Sequence, residues 1–359
     1  MTQEEKSRNK KVSPKRVDTT MTGRRMLFLL LAVAVVVALF FAVVYPLMLV
    51  GAPKEAVIHV PRNATRKMVE DSLTKEFGKE YAGYVMQAMH LRSTDLSTRH
   101  GAYKIAKGAN AFSTMRKITS GGQTPVRITV NGFRSLDLLA DRIASKMDFP
   151  ADSLRSVLAD SAFMAQYGLT PASAMALFID DTYEAYWTAS PRELLTTIGN
   201  NYKYVWNETR REQAATLGLT PEQVTILASI VDEETNAANE KGIIGRLYIN
   251  RLMSGMKLQA DPTVRFAMGD FSIKRVRSQD LKTDSPYNTY MYKGLPPGPI
   301  RTTSRQTIYA VLDSKPNSYR YMCANDDFSG THLFASSYDE HVRNALRYQS
   351  ALDARGIKR

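Results

Sequence analysis

The sequence predicts an α+β protein with a single N-terminal transmembrane helix, a small α+β module and a larger mixed α+β domain. Residues 26–50 contain no charged side chain, which is typical of a membrane-spanning helix. Strand-like and helical segments alternate over residues 54–125, and helical patterns interrupted by Pro- and Gly-rich loops fill residues 126–359. These boundaries, with residues 1–25 as a basic tail, define the predicted organisation.

Composition excludes several classes of protein. The chain has 359 residues and one cysteine, Cys323, so an intramolecular disulfide framework is excluded. The five histidines form no His-Glu-x-x-His pair, and the sequence has neither a Walker loop nor a Gly-x-Gly-x-x-Gly motif. We therefore expect no metal, no cofactor and no nucleotide chemistry. The net charge of +13 would suit nucleic acid as a partner, but the distribution of the charge argues against it.

The apolar segment is long enough to cross a bilayer. A helix over residues 26–50 reaches about 37 Å at ~1.5 Å per residue, against a hydrocarbon core of ~30 Å. Lys and Arg are concentrated in residues 1–25, which predicts a cytoplasmic tail by the positive-inside rule. The alternative is a cleaved signal peptide, whose apolar region would span only ~7–15 residues. With an anchor, everything that follows lies outside the cytoplasm, away from DNA, RNA and ATP.

The region after the apolar segment has a simple pattern of elements. The predicted strands and helices of the small module are Ala56–Val60, 65–77, 81–89, Gly101–Ile105 and 111–120. The larger domain begins with a strand at 125–130 and a helix at 135–146.

The clearest helix start lies at Thr220, which is followed by Pro221 and Gln223 in a capping-box pattern. On a helical wheel, Glu234 falls within the stripe of Leu227 and Val231. The two preceding acids, Asp232 and Glu233, fall outside this stripe, so Glu233→Gln is expected to be nearly silent.

A carboxylate on an apolar face has two interpretations. Burial makes an ionised carboxylate costly, so Glu234 either finds a partner or has a raised pKa, as a general acid requires. Alternatively, Glu234 lies beyond the buried part of the helix and is solvated, or pairs with Arg246 or Arg251. The helical pattern alone leaves both interpretations open.

A second helix, 239–254, precedes three loop-like segments at 259–263, 285–290 and 294–300. Their hydroxyls, amides and tyrosines suit sugar rings, although the same residues are common in ordinary turns. We interpret His332 as a structural, hydrogen-bonding histidine rather than a catalytic one.

Five blocks in this order closely resemble the endolytic murein transglycosylase family, whose members are membrane-anchored enzymes that cut peptidoglycan. The blocks are Ala228–Thr235, Ile249–Leu252, Leu258–Val264, Tyr287–Tyr290 and Gly294–Ile300. Residues 54–125 more weakly resemble the LysM-like module of that family.

The resemblance implies a function and a site. It makes Glu234 the catalytic residue of a lyase that cleaves glycan strands between N-acetylmuramic acid and N-acetylglucosamine. Cleavage within the strand leaves a 1,6-anhydro-muramoyl end and terminates the growth of nascent strands. The residues assigned to substrate binding are Gln259, Asp261, Thr263, Tyr287, Asn288 and Tyr290.

The resemblance also implies partners and a location. The partners are peptidoglycan glycan strands and the membrane, with peptidoglycan synthases as further candidates and no nucleic acid. The location is the bacterial cytoplasmic (inner) membrane, with one span, a cytoplasmic N-terminus and an extracytoplasmic (periplasmic) catalytic domain.

Two alternatives stay open at the level of sequence. One is a hydrolytic muramidase in which Asp261 or Glu240 activates water as the second carboxylate. The other is a non-catalytic peptidoglycan-binding membrane protein, against which the intact acid at Glu234 argues.

Overall fold

The computed structural model describes residues 23–93, 99–273 and 275–356, so most of the predicted basic tail lies outside the described residues. The chain divides into two compact units. The first is Met1–Ile58, Ala64–Arg99 and Tyr103–Gly122; the second is His59–Asn63, His100–Ala102 and Gln123–Arg359. Helices and strands occur together through the chain, which confirms the predicted mixed α+β class.

The apolar segment forms one continuous helical stretch, Gly23–Met48. It consists of α1 (Gly23–Leu39), a π-helical turn (Phe40–Val44) and α2 (Tyr45–Met48). The π turn ends two residues before Pro46, which has no N–H to donate to an α-helical hydrogen bond. None of the residues of α1 is buried, and the stretch is long and apolar enough to cross a membrane. An apolar helix at this position can be an anchor or a signal sequence.

The region that follows contains three helices of the first unit and two short strands, each of which has three of its five residues in that unit. The strands β1 and β2 form a two-stranded sheet. Its elements are β1 (Ala56–Val60), α3 (Arg66–Phe77), α4 (Lys79–Leu91), β2 (Gly101–Ile105) and α5 (Ala111–Thr119). The predicted elements are all present, with ends shifted by one or two residues. Leu73 and Phe77, four residues apart on α3, are buried in the core, as the helical spacing predicts.

The second unit contains a three-stranded sheet and a separate hairpin. In the sheet, β3 pairs with β4 in antiparallel orientation and β4 pairs with β5 in parallel. The hairpin pairs β6 with β7 and places Ala324 opposite His332. The strands are β3 (Val126–Val130), β4 (Ile179–Ala185), β5 (Thr303–Ser304), β6 (Tyr321–Ala324) and β7 (His332–Ala335).

Ten helices complete the described part of this unit, together with short 3-10 turns at Pro171–Leu177 and Asp280–Lys282. The helices are α6 (Leu136–Ala144), α7 (Ala151–Leu158), α8 (Ser161–Ala165), α9 (Pro191–Val205), α10 (Glu208–Thr216), α11 (Pro221–Glu234), α12 (Ala238–Met253), α13 (Asp261–Met268), α14 (Arg305–Leu312) and α15 (Tyr338–Ala354).

Helix α11 lies in the core of the second unit. Its start is the predicted capping box, in which the Thr220 side chain accepts from Gln223 N and the Gln223 side chain accepts from Thr220 N. Every residue from 224 to 231 is buried, including Thr225 and Ser229, so this helix is buried on all sides rather than along one stripe. It packs against α12, α13 and α14, which explains why a run of eight residues has no solvent-facing side.

Close approaches of the backbone position the elements around α11. A side chain at Gly245 on α12 would come within 2.9 Å of Val311 on α14, so the glycine permits this helix contact. The predicted loop 294–300 ends with Ile300, whose backbone N–H donates to the buried Ser229 hydroxyl of α11 at 3.1 Å. The segment 259–263 differs from its predicted loop: Asp261 begins α13, and Pro262 fits its first turn, where no N–H is needed.

Candidate active site

Glu234 is the last residue of α11, and its carboxylate has a phenol as its partner. The hydroxyl of Tyr248, on α12, donates a hydrogen bond of 2.6 Å to Glu234 Oε1. The Tyr248 residue is only 1% exposed, so this bond is shielded from water. Glu234 is partly exposed and accepts this shielded hydrogen bond, so it is not a fully solvated helix end.

The two arginines considered as partners of Glu234 bind elsewhere. Arg246 donates to the Ser314 carbonyl at 2.9 Å. Arg251 donates to the Leu258 carbonyl at 2.5 Å and also to the carbonyl of residue 320. Both guanidinium groups therefore support the backbone of the loops around the site, and neither makes an ion pair with Glu234.

Burial raises the pKa of the Glu234 carboxyl, because the charged form loses its hydration. The negative charge of Asp261 acts in the same direction, whereas the Tyr248 hydrogen bond and the charges of His332 and Arg265 oppose it. The net shift is upward, so the protonated form persists to higher pH than for an exposed glutamate. This is the state that a general acid needs.

Glu234 faces a cavity of about 310 Å³. The cavity is enclosed by the ends of α11 and α12, the start of α13, the 285–290 loop and the β6–β7 hairpin. Its lining residues are Glu234, Leu247, Tyr248, Arg251, Gln259, Asp261, Tyr290, Met322, Cys323, Ala324 and His332.

Three of the residues predicted to bind substrate lie on this lining. Gln259 and Asp261 come from the start of α13, and Tyr290 donates from its hydroxyl to Asp261 Oδ1 at 2.6 Å. Gln259 has a φ of 51°, an unusual conformation for a residue with a side chain. Its N–H donates to the Thr289 carbonyl at 3.2 Å, which holds this strained backbone in place beside the cavity.

The other three predicted residues lie outside the lining. Thr263 is fully buried, and its hydroxyl lies 2.8 Å from that of Thr289. Asn288 is also fully buried, and its amide donates to two carbonyls of its own loop. Tyr287 packs against Phe266, with ring centroids 4.6 Å apart. In the structure these residues shape the loop that carries Tyr290.

The two acids before Glu234 are buried in ion pairs. The Asp232 side chain is 7% exposed, accepts from Lys241 Nζ at 2.6 Å, and is also bound by the hydroxyls of Thr303 and Thr307. Glu233, likewise 7% exposed, accepts from Arg134 at 2.8 Å and from Arg301 at 2.9 Å. Both acids fall outside the predicted stripe, and the structure gives Glu233 two ion pairs, so a nearly silent Glu233→Gln stays a prediction. We call Asp232, Glu233, Lys241, Arg134 and Arg301 the ion-pair cluster.

A second carboxylate lies behind the cavity wall. Glu240, 4% exposed, accepts from the His332 backbone N–H at 2.7 Å, and its Oε2 lies 3.0 Å from His332 Nδ1. The hydroxyl of Thr235, the residue after Glu234, donates to the same Oε2 at 3.2 Å. Glu240 thus joins the end of α11 to the β6–β7 hairpin.

Tyr248 lies on an ordinary apolar stripe of α12, and no local sequence signal predicts its hydrogen bond to Glu234. The sequence predicts a structural role for His332, and nothing in its local sequence shows that β7 places it beside Glu234. Within the described residues, no group of three or more His, Cys, Asp or Glu side chains could hold a metal ion. The site is thus a buried acid, a phenol donor and a carboxylate–imidazole pair around one small cavity.

Comparisons with known proteins identify the family of this chain. The model of the YceG-like family matches residues 58–347. An endolytic murein transglycosylase of Bacillus subtilis is 27% identical over 268 residues, which cover 70% of this chain and 73% of that protein. One of Streptococcus pneumoniae (strain ATCC BAA-255 / R6) is 23% identical over 315 residues, 78% of this chain. The chain spans about half of the pneumococcal protein, 54% of its length.

A crystal structure of a yceG-like protein from Listeria monocytogenes has the same fold, with a TM-score of 0.54 and 22% identity. The match covers 81% of this chain and 98% of that one. The fold and the family match define the class: the protein is an enzyme, a lytic transglycosylase. The chain belongs to the YceG-like family, which confirms the predicted resemblance.

Proposed function

We propose that this protein cleaves peptidoglycan glycan strands internally, between N-acetylmuramic acid and N-acetylglucosamine, and leaves a 1,6-anhydro-muramoyl end. The observation that carries the proposal is the Glu234 carboxyl, whose pKa is raised by burial beside a cavity lined with polar side chains. The names of the two relatives support the substrate class.

The mechanism begins with a protonated Glu234. Tyr248 occupies Oε1, and Oε2 makes no hydrogen bond to the described part of the chain, so Oε2 can carry the proton toward a substrate. The proton passes to the glycosidic oxygen as the bond to the anomeric carbon breaks. The C6 hydroxyl of the muramoyl residue then closes on that carbon and loses its proton. In the simplest scheme the ionised Glu234 accepts this proton, and no water is consumed.

The structure bears on the hydrolytic alternative through its two candidate acids. Both oxygens of Glu240 accept hydrogen bonds from the protein, which leaves this carboxylate poorly placed to activate water. Asp261 lines the cavity and is exposed, so its role in a muramidase is the outcome to be tested.

The experiment is digestion of purified glycan strands with the wild-type protein and Glu234→Gln, followed by mass spectrometry in ¹⁸O-labelled water. We expect wild-type muramoyl ends that are lighter than hydrolytic ends by one water and carry no label. Loss of the acid should reduce kcat by about 10³- to 10⁴-fold. The matched control is Glu212→Gln on the exposed face of α10, which should behave as wild type.

Two results would contradict the proposal. Labelled reducing ends would establish the muramidase, and wild-type activity in Glu234→Gln would remove the proposed site.

We also propose that the helix Gly23–Met48 anchors the enzyme, with the catalytic domain outside the cytoplasm. This position, next to membrane-bound peptidoglycan synthases, would let cleavage terminate nascent strands. A reporter that is active only outside the cytoplasm, fused after residue 359, should be active. Release of the protein from membranes by cleavage near residue 50 would instead identify a signal sequence.

Residues 54–125 stay a proposed LysM-like, strand-binding module. Their role would be to increase affinity for the glycan, because the proposed acid and its partners all lie in the second unit.

A further inference from the structure

The carboxylate–imidazole pair Glu240–His332 has a geometry that a purely structural histidine does not require. The His332 backbone N–H and ring Nδ1 are both held by the one buried carboxylate, which fixes the ring in a single orientation. The side chain of His332 is 16% exposed and that of Glu240 is 5% exposed. With Nδ1 committed to Glu240, the neutral ring carries its lone pair on Nε2.

The second nitrogen is available to a ligand. Among the residues that the structure describes, Nε2 of His332 has no hydrogen-bond partner, and the residue lines the same cavity as Glu234. Thr235, the residue that directly follows Glu234, donates its hydroxyl to Oε2 of the same Glu240 carboxylate. The imidazole is therefore positioned with respect to the acid through one shared carboxylate, an arrangement typical of an oriented general base.

We propose that His332, oriented by Glu240, is a second catalytic residue that removes the proton of the muramoyl C6 hydroxyl, so that Glu234 serves as the acid alone. This inference rests on the proposed lyase function. In the simplest scheme Glu234 acts first as the acid and then as the base. Here Glu234 is the acid and His332 is the base.

The atoms balance in one turnover. The Glu234 proton passes to the glycosidic oxygen as its bond to the anomeric carbon breaks. The C6 oxygen bonds to that carbon, and its proton passes to His332 Nε2. The step ends with a Glu234 carboxylate and a His332 imidazolium, opposite charges in one cavity. Transfer of the proton from His332 back to Glu234, directly or through water, restores the enzyme.

The surroundings of His332 contain several other ionisable groups. Those on the cavity wall or acting on Glu234 are Glu234, Tyr248, Arg251, Asp261, Arg265, Tyr290 and Cys323, with Glu240 behind the ring. The tyrosines keep their protons in the working range, since burial raises the pKa of both. Asp261 is a possible competing base, and the experiment therefore includes a variant of it.

The test compares kcat and KM across pH for the full chain on purified glycan strands. His332→Asn places an amide N–H where Nδ1 donates to Glu240 but has no counterpart of Nε2. We expect kcat to fall by about 10²- to 10³-fold with KM within threefold, and the rise of kcat with pH to disappear. Exogenous imidazole should partly restore His332→Ala. The control is His90→Asn on the exposed face of α4.

Further variants separate base catalysis from hydrogen bonding. His332→Gln can place an amide near the position of Nε2 but cannot accept a proton, so it should be as slow as His332→Asn. Glu240→Gln should lower kcat, because one amide oxygen cannot accept from both the His332 backbone N–H and ring Nδ1. Asp261→Asn should keep the rising limb.

The outcomes are decisive in either direction. Wild-type kcat and an unchanged rising limb in His332→Asn would overturn the proposal, as would activity restored by His332→Gln or loss of the limb in Asp261→Asn. If the wild type forms anhydro ends and Glu234→Gln is inactive, such a result removes only the role of His332. Reducing ends from the wild type would remove both proposals.

Discussion

Three consecutive acids at the end of α11 lie in two opposite environments. In the ion-pair cluster, Asp232 and Glu233 are nearly excluded from solvent but are matched by Lys241 and by two arginines. Glu234, one residue further, makes no ion pair within the described chain and receives a single bond from a phenol.

The two environments shift the pKa values of Asp232 and Glu234 in opposite directions. Burial alone would raise the pKa of Asp232, but hydrogen bonds from Lys241, Thr303 and Thr307 more than offset it, and the net shift is downward. For Glu234 the burial effect prevails and the pKa is raised. The comparison shows that the surroundings, rather than the residue type or the helix position, separate the two ion-paired acids from the proposed catalytic one.

The largest effect should come from breaking the ion-pair cluster. Lys241→Met leaves Asp232 buried without its cation and should destabilise the protein by about 3–5 kcal/mol at pH 7. Because the pKa of Asp232 is lowered on folding, its contribution exists above the unfolded pKa and is lost as pH falls through the folded value.

Urea denaturation at pH 7 and at acid pH measures this effect. The loss caused by Lys241→Met should shrink at acid pH, where Asp232 is protonated. Lys315→Met, at an exposed position, is the control. Equal stability of the two variants at pH 7 would show that the cluster contributes little.

A smaller loss is expected for Glu233→Gln, which the sequence predicts to be nearly silent. Glutamine cannot match both Arg134 and Arg301, so we expect destabilisation of about 1–3 kcal/mol. Thermal unfolding of Glu233→Gln, with Glu212→Gln as the control, measures this loss of stability. Residual kcat in the fraction that remains folded should stay within tenfold of wild type, and a loss as large as that of Glu234→Gln would assign Glu233 to the chemistry.

For Glu234, the acid without an ion pair in the described chain, Tyr248→Phe should change the pH dependence of activity. The hydrogen bond from Tyr248 stabilises ionised Glu234, so its removal raises the pKa of Glu234 further. The falling limb of the kcat profile should move upward by about one pH unit, equivalent to ~1.4 kcal/mol. A limb that moves downward would mean that the phenol stabilises the protonated acid instead.

Asp261→Asn should have the smallest effect on the pH profile of kcat, in the direction opposite to that of Tyr248→Phe. The charge of Asp261 raises the pKa of Glu234, so its removal should move the falling limb to lower pH by less than one unit. Rate against pH on the same strands checks this shift. A loss of kcat beyond about 100-fold would instead assign Asp261 a chemical role, as the muramidase alternative requires.

Much of the local structure could be predicted from the sequence. The Thr220 capping box, the strands Ala56–Val60 and Gly101–Ile105, and the apolar helix are local signals that need no distant partner. The helical wheel and the family resemblance together predict Glu234 as the catalytic acid. Asp261 was misread as part of a loop because Asp-Pro also occurs in turns, whereas here it starts α13.

The sequence by itself determined where α11 begins, which segment is apolar enough for a membrane, and which helix presents an acid among apolar residues. Caps, proline positions and hydrophobic periods act within a few residues, so they can be read locally. Only the tertiary structure decided which acids are neutralised and which is not. Arg134, Arg301 and His332 reach the end of α11 from distant parts of the chain, and long-range packing alone determines the charge, burial and hydrogen bonds of a carboxylate.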